Sequence, residues 1–250
     1  MTLPVLYEVH DRCAIITMNR PERHHAVNMQ MRGLLIEYWN RVNSDPLIDV
    51  AILTASTARI FCSGKDLSEH TDISPRQFLP IIGETIEMRK PTIAAVEGAA
   101  IGAGWFFAQM CDLIVASQRA SFSLPEVKVG RVPVWAVHLR SIIGEKLLLE
   151  ALLTGEPFTA ERAYQIGLVN KVVEPGHALA GALEIAYTIS KNAPLAVRGG
   201  RQMVYASEGL TRQQAVDMAF DISDSVSQSA DAQEGINAFL EKRSPVWRGS

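Results

Sequence analysis

VEGAAIGAGWFFAQMCD, running from Val96 to Asp112, is the stretch on which the fold turns. It starts at the end of an apolar, β-branched run, Thr92 to Val96, that reads as a buried strand. It then crosses Gly98, Gly102 and Gly104 and enters an apolar segment long enough for a helix. A chain passing through small residues into a helix leaves N–H groups at the turn without an intrahelical acceptor, at the positive end of the helix dipole. Two readings follow. The turn can receive an anion or a developing oxyanion, or its small residues only let the helix pack closely on the strand.

Composition narrows the setting. The chain has 250 residues, 48% hydrophobic and 20% charged, enough apolar material for a sizeable core. A formal net charge of −3 supplies no basic face, so no nucleic-acid partner is expected. No apolar run has the length of a bilayer span, and no membrane partner is expected. The opening MTLPVLYEVHDR lacks a charged segment followed by an apolar core, which argues against a signal peptide. Cys13, Cys62 and Cys111 are widely spaced, without any CxxC, so free thiols in a reducing, cytoplasmic setting are expected in place of disulfides. No His/Asp/Glu cluster has metal-ligand spacing, and no metal is expected.

Outward from the central stretch, strands alternate with helices. Leu6–Val9 and Cys13–Met18 flank His10-Asp11-Arg12 as a hairpin, and Val50–Thr54 reads as a buried strand. Asn28 caps a helix over Met29–Asn43, where Met31, Leu34, Leu35, Tyr38 and Val42 recur at helical spacing. Phe61–Leu67, FCSGKDL, reads as a strand end entering a turn of helix. A loop follows from His70 to Pro75, then an amphipathic segment to Met88. Leu113–Ala116 and the start of SFSLPEVKVG are strand-like, Leu139–Leu153 is helical, and Thr159 caps a short helix that stops at Gly167. Val169–Val173 reads as one more strand. From His177 on the pattern is helical throughout, with Thr211-Arg-Gln-Gln and Asp231-Ala-Gln-Glu resembling capping boxes. The expectation is an α/β core with a helical appendage.

Two strand-to-helix turns with glycine, Phe61–Leu67 and Ala100–Gly104, share one logic: each aims a backbone N–H outward, and two such donors on one oxygen make an oxyanion hole. Leu124-Pro-Glu126 places a carboxylate after a strand in apolar surroundings, where desolvation raises its proton affinity and makes it a better base. A solvated loop carboxylate is the alternative reading of Glu126 by itself.

The ordered set NRPERHHAVN, FCSGKDL, VEGAAIGAG, CDLIVAS, FSLPEVKVG, LLTGEPFTAERAYQIGLVNKVV and EGINAFLEKRSPVW resembles the crotonase superfamily, the enoyl-CoA hydratase/isomerase family, along the whole chain. The resemblance implies a crotonase (ClpP/crotonase-like) α/β spiral of repeated ββα units over residues 1–190, carrying an acyl-CoA site. It also implies a C-terminal helical region over 191–250 that forms homotrimers or dimers of trimers, with Met203, Val204, Ala219 and Phe220 at the contact. By the same resemblance, the N–H groups of Lys65 and Ala103 hold the thioester oxygen, and Glu126 is the acid/base. Ala26 and the stretch Ser63, Gly64, Lys65, Asp66 and Leu67 receive the CoA adenine and pantetheine arm. Phe239 and Lys242 lie near CoA, while Arg20 and Arg23 are either phosphate contacts or solvated surface. Coenzyme A enters as part of the substrate, and no separate cofactor is implied.

Two departures from the family pattern carry information. Hydratases that this chain resembles have a second glutamate in a GGGCE context, where this chain has Phe106. One carboxylate beside an apolar wall suits 3-enoyl to 2-enoyl isomerisation, which moves a single proton from C2 to C4, better than water addition; isomerase and hydratase both still fit an enolate route with Glu126 as the acid/base. The family's IPGAGGTQRL is replaced by Val132-Pro-Val-Trp-Ala-Val-His-Leu139, bringing Trp135 toward the acyl pocket and adding His138. His138 and His70 are possible bases for a C–C hydrolase, decarboxylase or thioesterase on the same scaffold; a non-catalytic CoA-thioester or RNA binder is a further alternative. Pocket depth is expected to depend on Trp105, Phe106, Trp135 and the loop after Glu69. His24 and His25 are expected at the loop surface.

Overall fold

β-branched and small apolar residues bury the central strands, Cys13–Met18, Val50–Ala55 and Thr92–Val96, on both faces, and the helices cover them. The computed structural model describes residues 3–69, 78, 80 and 86–250. The loop expected after Glu69 and nearly all of the amphipathic segment that follows it fall outside those residues.

The hairpin of β1 (Val5–His10) and β2 (Cys13–Met18) forms as expected, antiparallel, with His10 opposite Cys13. Asn28 accepts the Met31 N–H at 2.9 Å and starts α1 (Met29–Ser44). Next come β3 (Val50–Ala55), β4 (Ile60–Cys62), β5 (Thr92–Val96) and β6 (Ala99–Ile101), then α2 (Ala103–Gln109), β7 (Leu113–Ser117) and β8 (Ser121–Ser123). Helices α3 (Leu139–Ile143) and α4 (Glu145–Thr154), strand β9 (Phe158–Thr159), helix α5 (Ala160–Gln165) and strand β10 (Lys171–Val173) complete the core.

Among the described residues these strands make two sheets. One has six strands in the order β1-β2-β3-β5-β7-β10, parallel beyond the first hairpin; the other has four, in the order β4-β6-β8-β9, parallel except at β9. Successive pairs β3/β4, β5/β6 and β7/β8 each place one strand in either sheet, so the chain advances as a spiral of ββ steps, in agreement with the α/β spiral expected. The large sheet is covered on both faces, as parallel sheets require. Ala94 and Val96 of β5 point into the main core with Trp39 and Phe61, while Ile93 and Ala95 point the other way. There they meet Ala178, Ala182 and Ala186 of α6 (Ala178–Ser190). Small side chains on α6 let it sit close to the sheet.

Helices α7 (Pro194–Ala206), α8 (Arg212–Ser227) and α9 (Ala230–Glu241) follow. Asp112 anchors α7: its carboxylate pairs with Arg201 at 2.9 Å and accepts the Tyr205 hydroxyl at 2.6 Å and the Thr92 N–H at 2.7 Å.

Five local expectations change. A three-residue strand, β6, intervenes before the helix; Ala99–Ile101 is too short to show periodicity and is held by pairing with β4 and β8. No helical turn forms at Lys65; the residue bridges Val27 in parallel, and Asp66 closes a turn by accepting from Ser68. The segment Leu139–Leu153 is two helices, broken at Gly144. Glu126 sits in a 3-10 helix, Pro125–Val129, and not in an open loop. The box at Thr211 forms with Gln214, but that at Asp231 does not. Ser229 caps α9 instead, and the buried Asp231 carboxylate accepts the N–H groups of Arg248 and Gly249 at 2.7 and 2.8 Å.

Candidate active site

Three segments distant in sequence meet at the turn into α2. Gly102 has φ +56°, a left-handed value that favours glycine, and a Cβ added there would lie 2.9 Å from Oε1 of Glu126. Glu126 therefore rests its carboxylate directly on this turn. Gly64, with φ +95°, faces the turn from the other side; a Cβ on it would lie 3.4 Å from the Ala103 nitrogen. The strand-to-helix turn, the Gly64–Lys65 corner and the carboxylate thus share one place.

Local chemistry starts α2 and the Glu126 helix, and distant bonds hold the Ser63–Asp66 corner. Ala103 is the first residue of α2, where an N–H has no intrahelical acceptor. The Ser63–Asp66 corner hangs on the preceding loop: Val27 N–H donates to the Gly64 carbonyl at 2.8 Å, and Asp66 N–H to the Val27 carbonyl at 3.0 Å. Pro125 opens the 3-10 helix that carries Glu126. That helix packs on Gly155, where an added Cβ would approach the Leu124 carbonyl at 3.3 Å and Val127 Cγ1 at 3.2 Å.

Glu126 is half-buried, and its Oε2 is buried without a hydrogen-bond partner among the described residues. Burial pushes its carboxyl above the ordinary value of 4.5, opposed in part by a backbone hydrogen bond. A carboxylate that is poorly solvated and holds its proton more tightly is suited to taking and returning a proton.

The two aromatics expected to form the apolar wall pack on each other. Phe106 and Trp135, both buried, have ring centroids 5.3 Å apart at 50°, and the Trp135 carbonyl accepts from Gln109 Nε2 at 3.5 Å. Trp105 faces elsewhere: it packs against Phe122 and Phe158 at 5.8 and 5.9 Å, inside the core.

Other expected site residues fall into two groups. Ala26, Ser63, Gly64, Lys65 and Asp66 are brought to the corner described above, with Lys65 Nζ 4.6 Å over the Phe78 ring and Leu67 exposed. The Asp66 carboxylate is engaged by Ser68 and by Arg20 at 3.0 Å, which hold it below the ordinary carboxylate range. Arg20 is therefore an internal tie and no surface cation; its guanidinium also reaches the Ala26 carbonyl. By contrast, Phe239 is 81% exposed and Lys242 is exposed at the end of α9. No hydrogen bond, ion pair or ring contact joins either to the Glu126 corner among the described residues. His138 is exposed on its 3-10 turn, and His70 lies outside the described residues.

His25 departs from expectation: it is fully buried, not at the loop surface. Its Nδ1 accepts the Arg20 N–H at 3.1 Å, and Nε2 lies 2.8 Å from Thr57 Oγ1. A His-His pair in a polar loop carries no sequence signal for such a role. Among the described residues, no group of three or more His, Cys, Asp or Glu could hold a metal ion, and no helix is long and apolar enough to cross a membrane.

With this geometry in place, comparison with known proteins is decisive. Residues 8–250 match the family model described as Enoyl-CoA hydratase/isomerase. The chain belongs to the enoyl-CoA hydratase/isomerase family. It is 34% identical over 257 residues to (E)-benzylidenesuccinyl-CoA hydratase of Thauera aromatica, covering 99% of this chain and 100% of that protein. It is 36% identical over 252 residues to enoyl-CoA hydratase EchA19 of Mycobacterium tuberculosis, covering 96% of this chain and 94% of that one. A crystal structure of enoyl-CoA hydratase from Mycobacterium tuberculosis H37Rv superposes with a TM-score of 0.93 at 37% identity, over 100% of both chains. As a member of the enoyl-CoA hydratase/isomerase family, the chain is an enzyme acting on acyl-CoA thioesters.

Proposed function

We propose that the chain works by thioester enolate chemistry, with Glu126 as its one acid/base and the N–H groups of Lys65 and Ala103 as the oxyanion hole. Glu126 takes a proton from C2 of the acyl-CoA; the C–H pair moves into the thioester to form an enolate. Two backbone donors stabilise the oxygen charge as it develops. The same carboxyl then returns the proton at C4, converting a 3-enoyl to a 2-enoyl thioester. The observation that carries this reading is the seating of a desolvated carboxylate on Gly102, with Phe106 where the family's hydratases place a second glutamate.

A second reading, hydration of a 2-enoyl thioester, is favoured by the relatives' names. Heavy water separates the two. In 2- and 3-enoyl-CoA panels followed by mass spectrometry, deuterium should enter without added mass of water. Gain of a whole water would replace the isomerase reading with the hydratase one. The Phe106–Trp135 pair suits a restricted or cyclic acyl group, so the panel should include an aryl-substituted thioester, the class named for the Thauera relative.

The same reading extends to assembly. Val204, Phe220, Phe239 and Leu240 are 69%, 65%, 81% and 71% exposed on α7, α8 and α9, and α8 buries no residue at all. Apolar exposure on this scale marks an interaction surface, and a homotrimer or a dimer of trimers in the cytoplasm is the assembly we assign to it. Sedimentation should report a multiple of 27.4 kDa corresponding to three or six chains; a monomeric mass would overturn the assignment.

A further inference from the structure

The corner that carries Lys65 takes its position from the loop His24–Val27. Besides the two bonds to Val27, Ser63 N–H donates to the His24 carbonyl at 3.1 Å, and the Cys62 thiol donates to the His25 carbonyl at 3.2 Å. That loop is itself held in an uncommon shape: His24 and His25 are both left-handed, with φ of 52° and 54°. Two consecutive non-glycine residues in this region need tertiary support.

The His25 ring supplies it. Its Nδ1 must be an acceptor, because the Arg20 N–H donates to it at 3.1 Å; the proton then belongs on Nε2, which donates to Thr57 Oγ1 at 2.8 Å. The His25 N–H closes the bend by donating to the Arg20 carbonyl at 2.9 Å. We propose that His25 is a positioning residue: its neutral ring holds the His24–Val27 loop, and through it the Ser63–Asp66 corner, so that protonating the ring releases the corner. A protonated ring would set a donor at Nδ1 against the donating Arg20 N–H. This rests on the reading of Lys65 N–H as an oxyanion donor only where activity is concerned.

The charged and titratable groups around the ring support the direction. Burial favours the neutral ring, below the ordinary 6.5; the Glu22 carboxylate opposes this and His24 adds to it. The Arg20 guanidinium is committed to Asp66 and Ala26, and burial pushes the Cys62 thiol up to about 12, so it stays neutral.

The ring binds its proton more weakly in the closed loop than in the open one. Opening is therefore favoured as pH falls below about 6.5, by up to about tenfold per pH unit. Hydrogen–deuterium exchange of the unmodified protein tests this directly. Protection of the peptide spanning 61–67, corrected for intrinsic exchange, should drop several-fold between pH 7.5 and 5.5, with segments in α6 unchanged. His25→Asn keeps an acceptor and a donor on an uncharged side chain, and should flatten the profile while restoring protection at low pH. Unaltered protection in the unmodified protein, or an equal drop in His25→Asn, would overturn the proposal. Turnover on the thioester panel should lose one of two ionisations from its acid limb in His25→Asn. Absence of any thioester activity would sink the enolate reading and leave the exchange result to judge His25.

Discussion

Glu126→Gln is expected to lower deuterium exchange at C2 by roughly 10²–10⁴-fold, the range for removing a positioned acid/base, with the fold retained. Gln has nearly the shape of Glu and still fits beside Gly102, but it cannot accept a proton at neutral pH. Stability should respond in the opposite sense to activity. Burial raises the folded-state pKa above 4.5, so the folded chain binds this proton more tightly than the unfolded one. Glu126 therefore favours folding at low pH, and that contribution is lost as pH rises through its folded-state pKa. At pH 8 the unfolding midpoint of Glu126→Gln should equal or exceed that of the parent, because a desolvated charge has been removed. Melting curves at pH 5 and 8, run beside the heavy-water assay, check both halves. Undiminished exchange in this variant would end the assignment of Glu126 as the acid/base.

Gly104→Ala should have a large effect on stability. A Cβ on Gly104 would lie 2.1 Å from the Cys62 carbonyl oxygen and 2.8 Å from its carbon, both backbone atoms of β4. Neither can swing aside as a side-chain tip would. The clash must separate α2 from β4 and so pull apart the two turns that face each other at Gly64 and Ala103. Overpacking of a core typically costs about 1–3 kcal/mol, and an obstruction by rigid backbone belongs at or above the top of that range. Gly33→Ala is the control. Gly33 lies inside α1, has nothing within 4 Å of an added Cβ, and should gain about 0.5–1 kcal/mol from helix propensity. Urea unfolding of the two variants measures the contrast. A Gly104→Ala protein within about 0.5 kcal/mol of the parent, the range of inert surface changes, would refute the close-packing argument.

Glu126 and Gly104 belong to different parts of one arrangement. Glycine at 104 sets how near the helix approaches the strand, and glycine at 102 leaves room for the carboxylate. Lost chemistry with an intact fold, in one case, and a weakened fold in the other would separate the acting group from the frame that holds it.

Much of this was legible in the sequence, because it depends on local chemistry. The apolar β-branched runs at Val50–Thr54 and Thr92–Val96 read as buried strands, and both form. Asn28, Thr159 and Thr211 have side chains that satisfy helix N-termini wherever the chain folds. The glycines of the central stretch marked a turn into a helix, and the ordered motifs named the family and pointed to Glu126. What the tertiary structure decided was everything that needs a distant partner. Three-residue β6 exists only because β4 and β8 lie beside it. Asp231 reads as a cap from its neighbours, yet it serves the chain's last residues because they fold back over α9. Arg20 reads as a phosphate contact or as solvated surface until Asp66, 46 positions away, is placed against it. His25 reads as exposed until Thr57 and Arg20 close around its ring. Periodicity and capping are properties of a few consecutive residues and survive in the sequence; burial and pairing are set by which segments pack together, and only the folded chain brings those together.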